Sequence, residues 1–160
     1  MASFSGGPKV GHKMKLYRNA ATLATPAWEE IADIGDVTVD GLELTTAELK
    51  RRGNNWTKEL LALFGAFSVG FRYVHGLGAA MFEDLKNDFF GMVPRTYAVC
   101  NGAIGLEGTQ GMTFAGAMKA FPWDQPLEDV SGHDASLCHT YLEESAVEID
   151  PEWFTSEGSA

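Results

Sequence analysis

The stretch FSVGFRY, from Phe67 to Tyr73, alternates large apolar side chains with small or polar ones. Successive side chains of a strand point to opposite faces, so this alternation is that of a strand with one buried face. We therefore predict a half-buried β-strand here, with Phe67 and Phe71 in the core.

The hydrophobic period changes downstream of this strand. Phe82, Leu85 and Phe89 follow a helical i, i+3, i+7 spacing, and Gly91 ends the segment. This pattern predicts one amphipathic helix, about residues 79–90, whose three apolar side chains pack on the sheet. The charged residues between them, Asp88 included, are expected to face away from it.

The rest of the chain consists of short extended segments separated by turns rich in glycine, proline and aspartate, which predicts a mainly β protein. Its 160 residues suit a single domain. Within residues 1–160 we expect a flexible N-terminal arm (1–12), a β-rich core (13–142) and an acidic C-terminal arm (143–160).

Acidic charge is concentrated in the second half of the chain. Residues 1–80 carry nine Lys/Arg and eight Asp/Glu, whereas residues 81–160 carry three and fourteen; the whole chain has a formal net charge of −10. A basic surface is the usual mark of a nucleic-acid-binding protein, so this composition argues against that class. Either the acids form a solvated surface, or they form a face that repels another polyanion.

The motifs of enzymes and cofactor-binding proteins are absent or incomplete. Gly76-Leu77-Gly78 precedes the helix, but Met81 occupies the position where a dinucleotide-binding turn needs a third small residue. Neighbouring residues of a strand face opposite ways, so Cys138 and His139 are poorly placed to share a metal ion. We expect no enzymatic activity, no cofactor and no metal. Whether Cys100 and Cys138 pair stays open, although free thiols in a reducing compartment are favoured.

No segment predicts a membrane span. The longest apolar run, Leu60 to Phe71, has 12 residues and is interrupted by Gly65, Ser68 and Gly70, whereas a spanning helix needs about 20. The N-terminus also lacks the apolar stretch of a signal peptide, so synthesis in the cytosol is expected.

A polar segment, Thr45 to Lys58, predicts a long projecting loop or hairpin. Arginine and tryptophan are enriched at interface hot spots, so this segment is a candidate contact loop between copies of the chain. The alternative is a solvated turn with its tryptophan tucked into the core. The candidate contact residues are Lys50, Arg51, Arg52, Asn54, Asn55 and Trp56.

A series of short elements resembles the tail-tube proteins of long-tailed bacteriophages. Their order and spacing carry the resemblance, which covers roughly residues 13–142. The elements are KLYRN (15–19), PAWEEI (26–31), DV (36–37), KRRGNNW (50–56), SVGFRY (68–73), FEDL (82–85), TYAV (96–99) and PLED (126–129).

The resemblance implies an antiparallel β-sandwich or barrel-like protomer with one flanking helix, assembled into stacked hexameric rings of a hollow tube in a virion. DNA would pass through the tube without specific binding. The implied partners are further copies of the chain and tail terminator, tape-measure and baseplate-type proteins. It also implies that the loop at residues 45–58 reaches a neighbouring ring. Two alternatives remain: a tube subunit of a contractile injection or secretion device, and a monomeric β-sandwich that binds a ligand.

Overall fold

A computed structural model describes residues 15–31, 34–50, 52–53, 55–74, 80–124 and 132–157. The predicted flexible arm at residues 1–12 lies outside them. Thirteen strands and one helix are present in this part of the chain. They are β1 (Lys15–Asn19), β2 (Trp28–Glu30), β3 (Ile34–Asp40), β4 (Leu44–Leu49), β5 (Lys58–Phe64), β6 (Ser68–Val74), α1 (Ala80–Phe90), β7 (Arg95–Cys100), β8 (Gln110–Ala120), β9 (Trp123–Asp124), β10 (Gly132–His139), β11 (Glu143–Glu144), β12 (Val147–Glu148) and β13 (Glu152–Thr155).

Nine strands form one antiparallel sheet with the order β2-β1-β7-β8-β10-β6-β3. β13 pairs with the first residues of β8, and β9 pairs with the first residues of β10. β2 and β3 lie at opposite ends of this order, yet only three residues separate them in the sequence. Because consecutive Cα atoms are about 3.8 Å apart, such a short connection requires the sheet to curl until its two ends approach. The predicted mainly β, antiparallel and barrel-like fold is confirmed.

Strand β6, which lies between β10 and the edge strand β3, has the predicted alternation, with Val69, Phe71 and Tyr73 buried and the residues between them half-buried. α1 begins at Ala80 and ends at Phe90, and its Phe82 and Leu85 are buried against the sheet. Phe67 is buried as well, and Phe89 packs against the same cluster while half-buried. The inner side of the curled sheet and one face of the helix therefore form one core.

Asp88 departs from the helix prediction, because its side chain is almost fully buried rather than turned away from the sheet. Arg18 on β1 donates from Nε to Asp88 Oδ2 over 2.7 Å, and Arg95 on β7 donates from Nε to Asp88 Oδ1 over 2.9 Å. Arg18 also pairs with Glu29 over 3.1 Å. Two arginines thus compensate the buried carboxylate, and the ion pairs join the helix to two strands.

The segment predicted as an acidic C-terminal arm contains regular structure. β11 and β12 form a short hairpin whose turn holds Ser145 and Ala146 at positive φ. β13 then pairs with β8 from Glu152 to Thr155. None of the helices in the described residues is long and apolar enough to cross a membrane.

Candidate assembly interface

Strands β4 and β5 form a hairpin that is separate from the nine-stranded sheet. Their pairing runs from Leu44 opposite Phe64 to Leu49 opposite Lys58. The Thr45 hydroxyl donates to the Leu63 carbonyl and accepts from the Leu63 amide, each over 3.0 Å, at a point where the register shifts by one residue. Among the described strands, β4 and β5 pair only with each other. The predicted projecting segment is therefore longer than residues 45–58 and is built as a two-stranded ribbon.

The ribbon exposes apolar side chains on both of its faces. Leu44 pairs with Phe64, and Thr46 pairs with Leu61, so Phe64 and Leu61 lie on one face. Leu60 pairs with Ala47 and lies on the other face. The exposed fractions are 86% for Phe64, 70% for Leu61 and 52% for Leu60, while Leu63 beside them is 72% exposed. The monomer covers neither face.

The tip of the ribbon, residues 50–57, carries the predicted contact residues. Lys50, Arg52, Asn55 and Trp56 are exposed, whereas Arg51 and Asn54 lie outside the described residues. Lys50 Nζ lies 3.7 Å from Glu48 Oε1 on the same hairpin. Trp56 is 78% exposed, which contradicts the alternative that it tucks into the core.

A groove of about 650 Å³ lies where the ribbon leaves the main sheet. Its floor includes the ring of Phe67, which stacks on His139 with the ring centres 5.0 Å apart. We call this site the base groove. It is lined by Leu42, Glu43, Phe64, Gly65, Ala66, Phe67, Met112, His139, Asp150 and Pro151.

Sequence reasoning missed the apolar residues of β5 as part of this surface. Leu60, Leu61, Leu63 and Phe64 form an unbroken apolar stretch with Ala62, a pattern that a buried strand also shows. The position of the stretch in the sequence distinguishes an exposed strand from a buried one. This stretch directly follows the polar tip, and its partner strand β4 carries Thr45, Thr46 and Glu48 rather than core residues.

The described residues hold no group of three or more His, Cys, Asp or Glu side chains that could bind a metal ion. Cys100 and Cys138 are free thiols, so the open question of their pairing is answered against a disulfide. Burial raises the pKa of the Cys100 thiol to about 11, which keeps it protonated and unreactive near neutral pH.

No family model and no curated protein matches this sequence. Several solved structures match the fold over most of their length, and three of them are described here. A chain of an empty gene transfer agent particle's tail, with C6 symmetry, has a TM-score of 0.63 at 12% identity and covers 83% of this chain and 95% of its own. The SPP1 tail tube has a TM-score of 0.66 at 12% identity, with coverages of 95% and 81%.

The third structure is a chain of the six-fold symmetrised baseplate of the anti-feeding prophage. It has a TM-score of 0.60 at 11% identity and covers 93% of this chain and 97% of its own. The resemblance read from the short sequence elements is thus confirmed at the level of the fold: this chain folds as tail tube proteins do.

Proposed function

We propose that this chain is a structural tail-tube subunit, which assembles with copies of itself into stacked hexameric rings of a virion tail. One observation carries the proposal: a protein with this fold extends a ribbon whose two faces are both apolar and both uncovered. Monomeric proteins rarely leave large contiguous apolar patches exposed, and such patches mark association sites. A two-sided patch needs two covering surfaces, which neighbouring copies in a ring and between rings would supply.

The sheet itself also favours association. β2 and β3 end the strand order, and a strand at the end of a sheet leaves backbone groups without a partner strand. Pairing such edges between copies in a closed ring would satisfy these groups. The ring would leave its two axial faces available for stacking.

The proposed tube is wide enough for DNA. If each of six copies contributes about four strands, as the resemblance implies, about 24 strands spaced ~4.8 Å apart and tilted ~40° close into a wall roughly 50 Å across. Side chains reduce the channel to about 40 Å, which exceeds the width of a duplex. Each phosphate contact with a lysine or arginine would add binding energy and slow passage. We therefore propose that acids among residues 81–160 line the channel, and a basic inner wall in an electron microscopy map would refute this.

The same function implies further partners. Tail terminator, tape-measure and baseplate-type proteins would contact the ends and the interior of the tube, and no catalytic step is required of the subunit. A tube subunit of a contractile injection device is the second candidate. The observation that favours it is the match to the baseplate chain of the anti-feeding prophage.

Electron microscopy of the concentrated, purified protein tests the proposal. We expect rings or tubes from the native chain and none from a Leu61→Ser/Leu63→Ser variant, which removes apolar surface from the ribbon only. A matched control, Leu106→Ser/Val147→Ser, changes two side chains of similar exposure elsewhere and should still assemble. Native protein that stays monomeric at every concentration and salt condition contradicts the proposal.

A further inference from the structure

We infer that the Trp56 side chain of one copy inserts into the base groove of a neighbouring copy. This inference rests on the proposed self-assembly and identifies the two surfaces that meet. It begins from the tip of the ribbon, where the Trp56 side chain is 78% exposed. Tryptophan is the residue type most enriched at interface hot spots, where it fills a pocket on the partner.

The base groove has the size and the lining that such a side chain needs. Its volume of about 650 Å³ exceeds that of an indole ring, and its walls are largely apolar: Leu42, Phe64 and Phe67 line it together with Met112 and Pro151. Leu42 and Phe64 are 58% and 86% exposed. An inserted ring would therefore bury apolar surface on both partners.

The charges of the ribbon's tip and of the base groove are also complementary. Glu43 and Asp150 lie at the groove and are exposed. At and beside the tip, the exposed basic residues Lys50, Arg52 and Lys58 outnumber the exposed acids Glu48 and Glu59. Opposite charges at the rim of a contact steer association and fix its register. A second copy of this chain therefore presents a tip of the required shape and sign.

A molecule cannot fill its own groove. Trp56 and the groove lie at opposite ends of the ribbon, and the seven residues of β5 between them span roughly 20 Å. The contact must therefore join unlike surfaces of two copies. Such heterologous contacts propagate from copy to copy and build closed rings or open helical assemblies.

Cross-linking between two variants that each carry one introduced, exposed cysteine tests the contact. Asn55→Cys puts a thiol beside Trp56, and Ala66→Cys puts one in the groove, both in a Cys138→Ala background in which Cys100 is buried. The two proteins are mixed under assembly conditions, treated with a short bis-maleimide and separated by denaturing electrophoresis. We expect a covalent dimer that requires both variants. Asn55→Cys mixed with Lys119→Cys, an exposed position outside the groove lining, is the control and should give at least about tenfold less dimer.

The outcomes separate this inference from the function on which it rests. Rings or tubes that form in the mixture without cross-linking above the Lys119→Cys control overturn the Trp56 contact and leave the proposed function standing. A mixture that forms no assemblies, while the native chain also forms none, overturns both.

Discussion

Arg18 Nε donates to Asp88 Oδ2 over 2.7 Å, and both side chains are almost completely buried. This ion pair joins the first described strand to the only helix of the described residues, seventy positions apart in the chain. Burial alone would lower the pKa of Arg18, but the hydrogen bond and the charge of Asp88 raise it above its usual value. The Arg18 side chain is therefore charged in the folded protein, and Asp88 is the partner that stabilises this buried charge.

Replacement of Asp88 should destabilise the fold. In Asp88→Asn, Arg18 and Arg95 lose the carboxylate between them, and a buried charge that loses its partner typically costs about 3–5 kcal/mol. We expect the free energy of unfolding in urea to fall by about 3 kcal/mol. Glu83→Gln, which breaks an exposed ion pair with Lys86, is the control and should cost about 0.5 kcal/mol or less. Asp84 Oδ2 lies 3.9 Å from Arg18 Nη1 and Glu29 lies 3.1 Å from it. Equal losses in the two variants would show that these two carboxylates neutralise Arg18 without Asp88.

Gly111 should not tolerate alanine. It lies on β8 opposite Cys100, and an added Cβ would come 2.3 Å from the Val99 carbonyl oxygen and 3.0 Å from the Cys100 Cα. Both of these are backbone atoms of β7, so the two strands would have to separate. We expect Gly111→Ala to lower the free energy of unfolding by at least about 2 kcal/mol. In the control Gly105→Ala, the added Cβ meets no atom within 4 Å, so this variant should melt within a few degrees of the native chain. Similar melting temperatures for the two variants would contradict the close approach of β8 and β7 at Gly111.

Alkaline pH should weaken the fold through Cys100. Burial raises the pKa of its thiol from 9.0 to about 11. The thiol of the unfolded chain ionises first as the pH rises, so the stability contributed by the protonated thiol is complete below about pH 9 and is lost between about 9 and 11. Urea denaturation at a series of pH values measures the free energy of unfolding. Between about pH 9 and 11 this free energy should decline less steeply for Cys100→Ala than for the native chain. Cys138→Ala keeps Cys100 and should retain the native slope; identical slopes in all three proteins would exclude this origin.

Charge reversal at the tip of the ribbon should block assembly without unfolding the subunit. Arg52 is exposed at the tip, and Arg51 precedes it. Arg51→Glu/Arg52→Glu replaces attraction to an acidic neighbour with repulsion, so rings and tubes should disappear in sedimentation and electron microscopy. Circular dichroism should show an unchanged melting curve. A variant that fails to fold would mean that the two arginines support the subunit itself.

Local periodicity predicts the parts of this fold that pack against the core. The alternation from Phe67 to Tyr73 and the spacing of Phe82, Leu85 and Phe89 each determine which side chains are buried, and the structure agrees on β6 and α1. Asp88 is different, because its burial depends on Arg18 and Arg95, whose proximity arises only when distant strands pair. A rule based on neighbouring residues cannot detect such a partner.

The ribbon could be predicted only in part. The polar residues 45–58 indicated a projection, but Leu60, Leu61 and Phe64 have the composition of a core strand. The composition indicates that these apolar side chains favour burial. It does not indicate whether the same molecule or another one buries them. Their exposure in the subunit became visible only from the three-dimensional arrangement.

The two strands of the ribbon, β4 and β5, pair with each other and not with the curled sheet, which has its own core. Under the proposed assembly, substitutions in β4 and β5 would therefore change the contacts between copies at little cost to the stability of the body, and substitutions in the core would leave those contacts unchanged. Selection can act on the two parts almost independently. The shared fold at 11–12% identity shows that very different sequences adopt this one backbone plan.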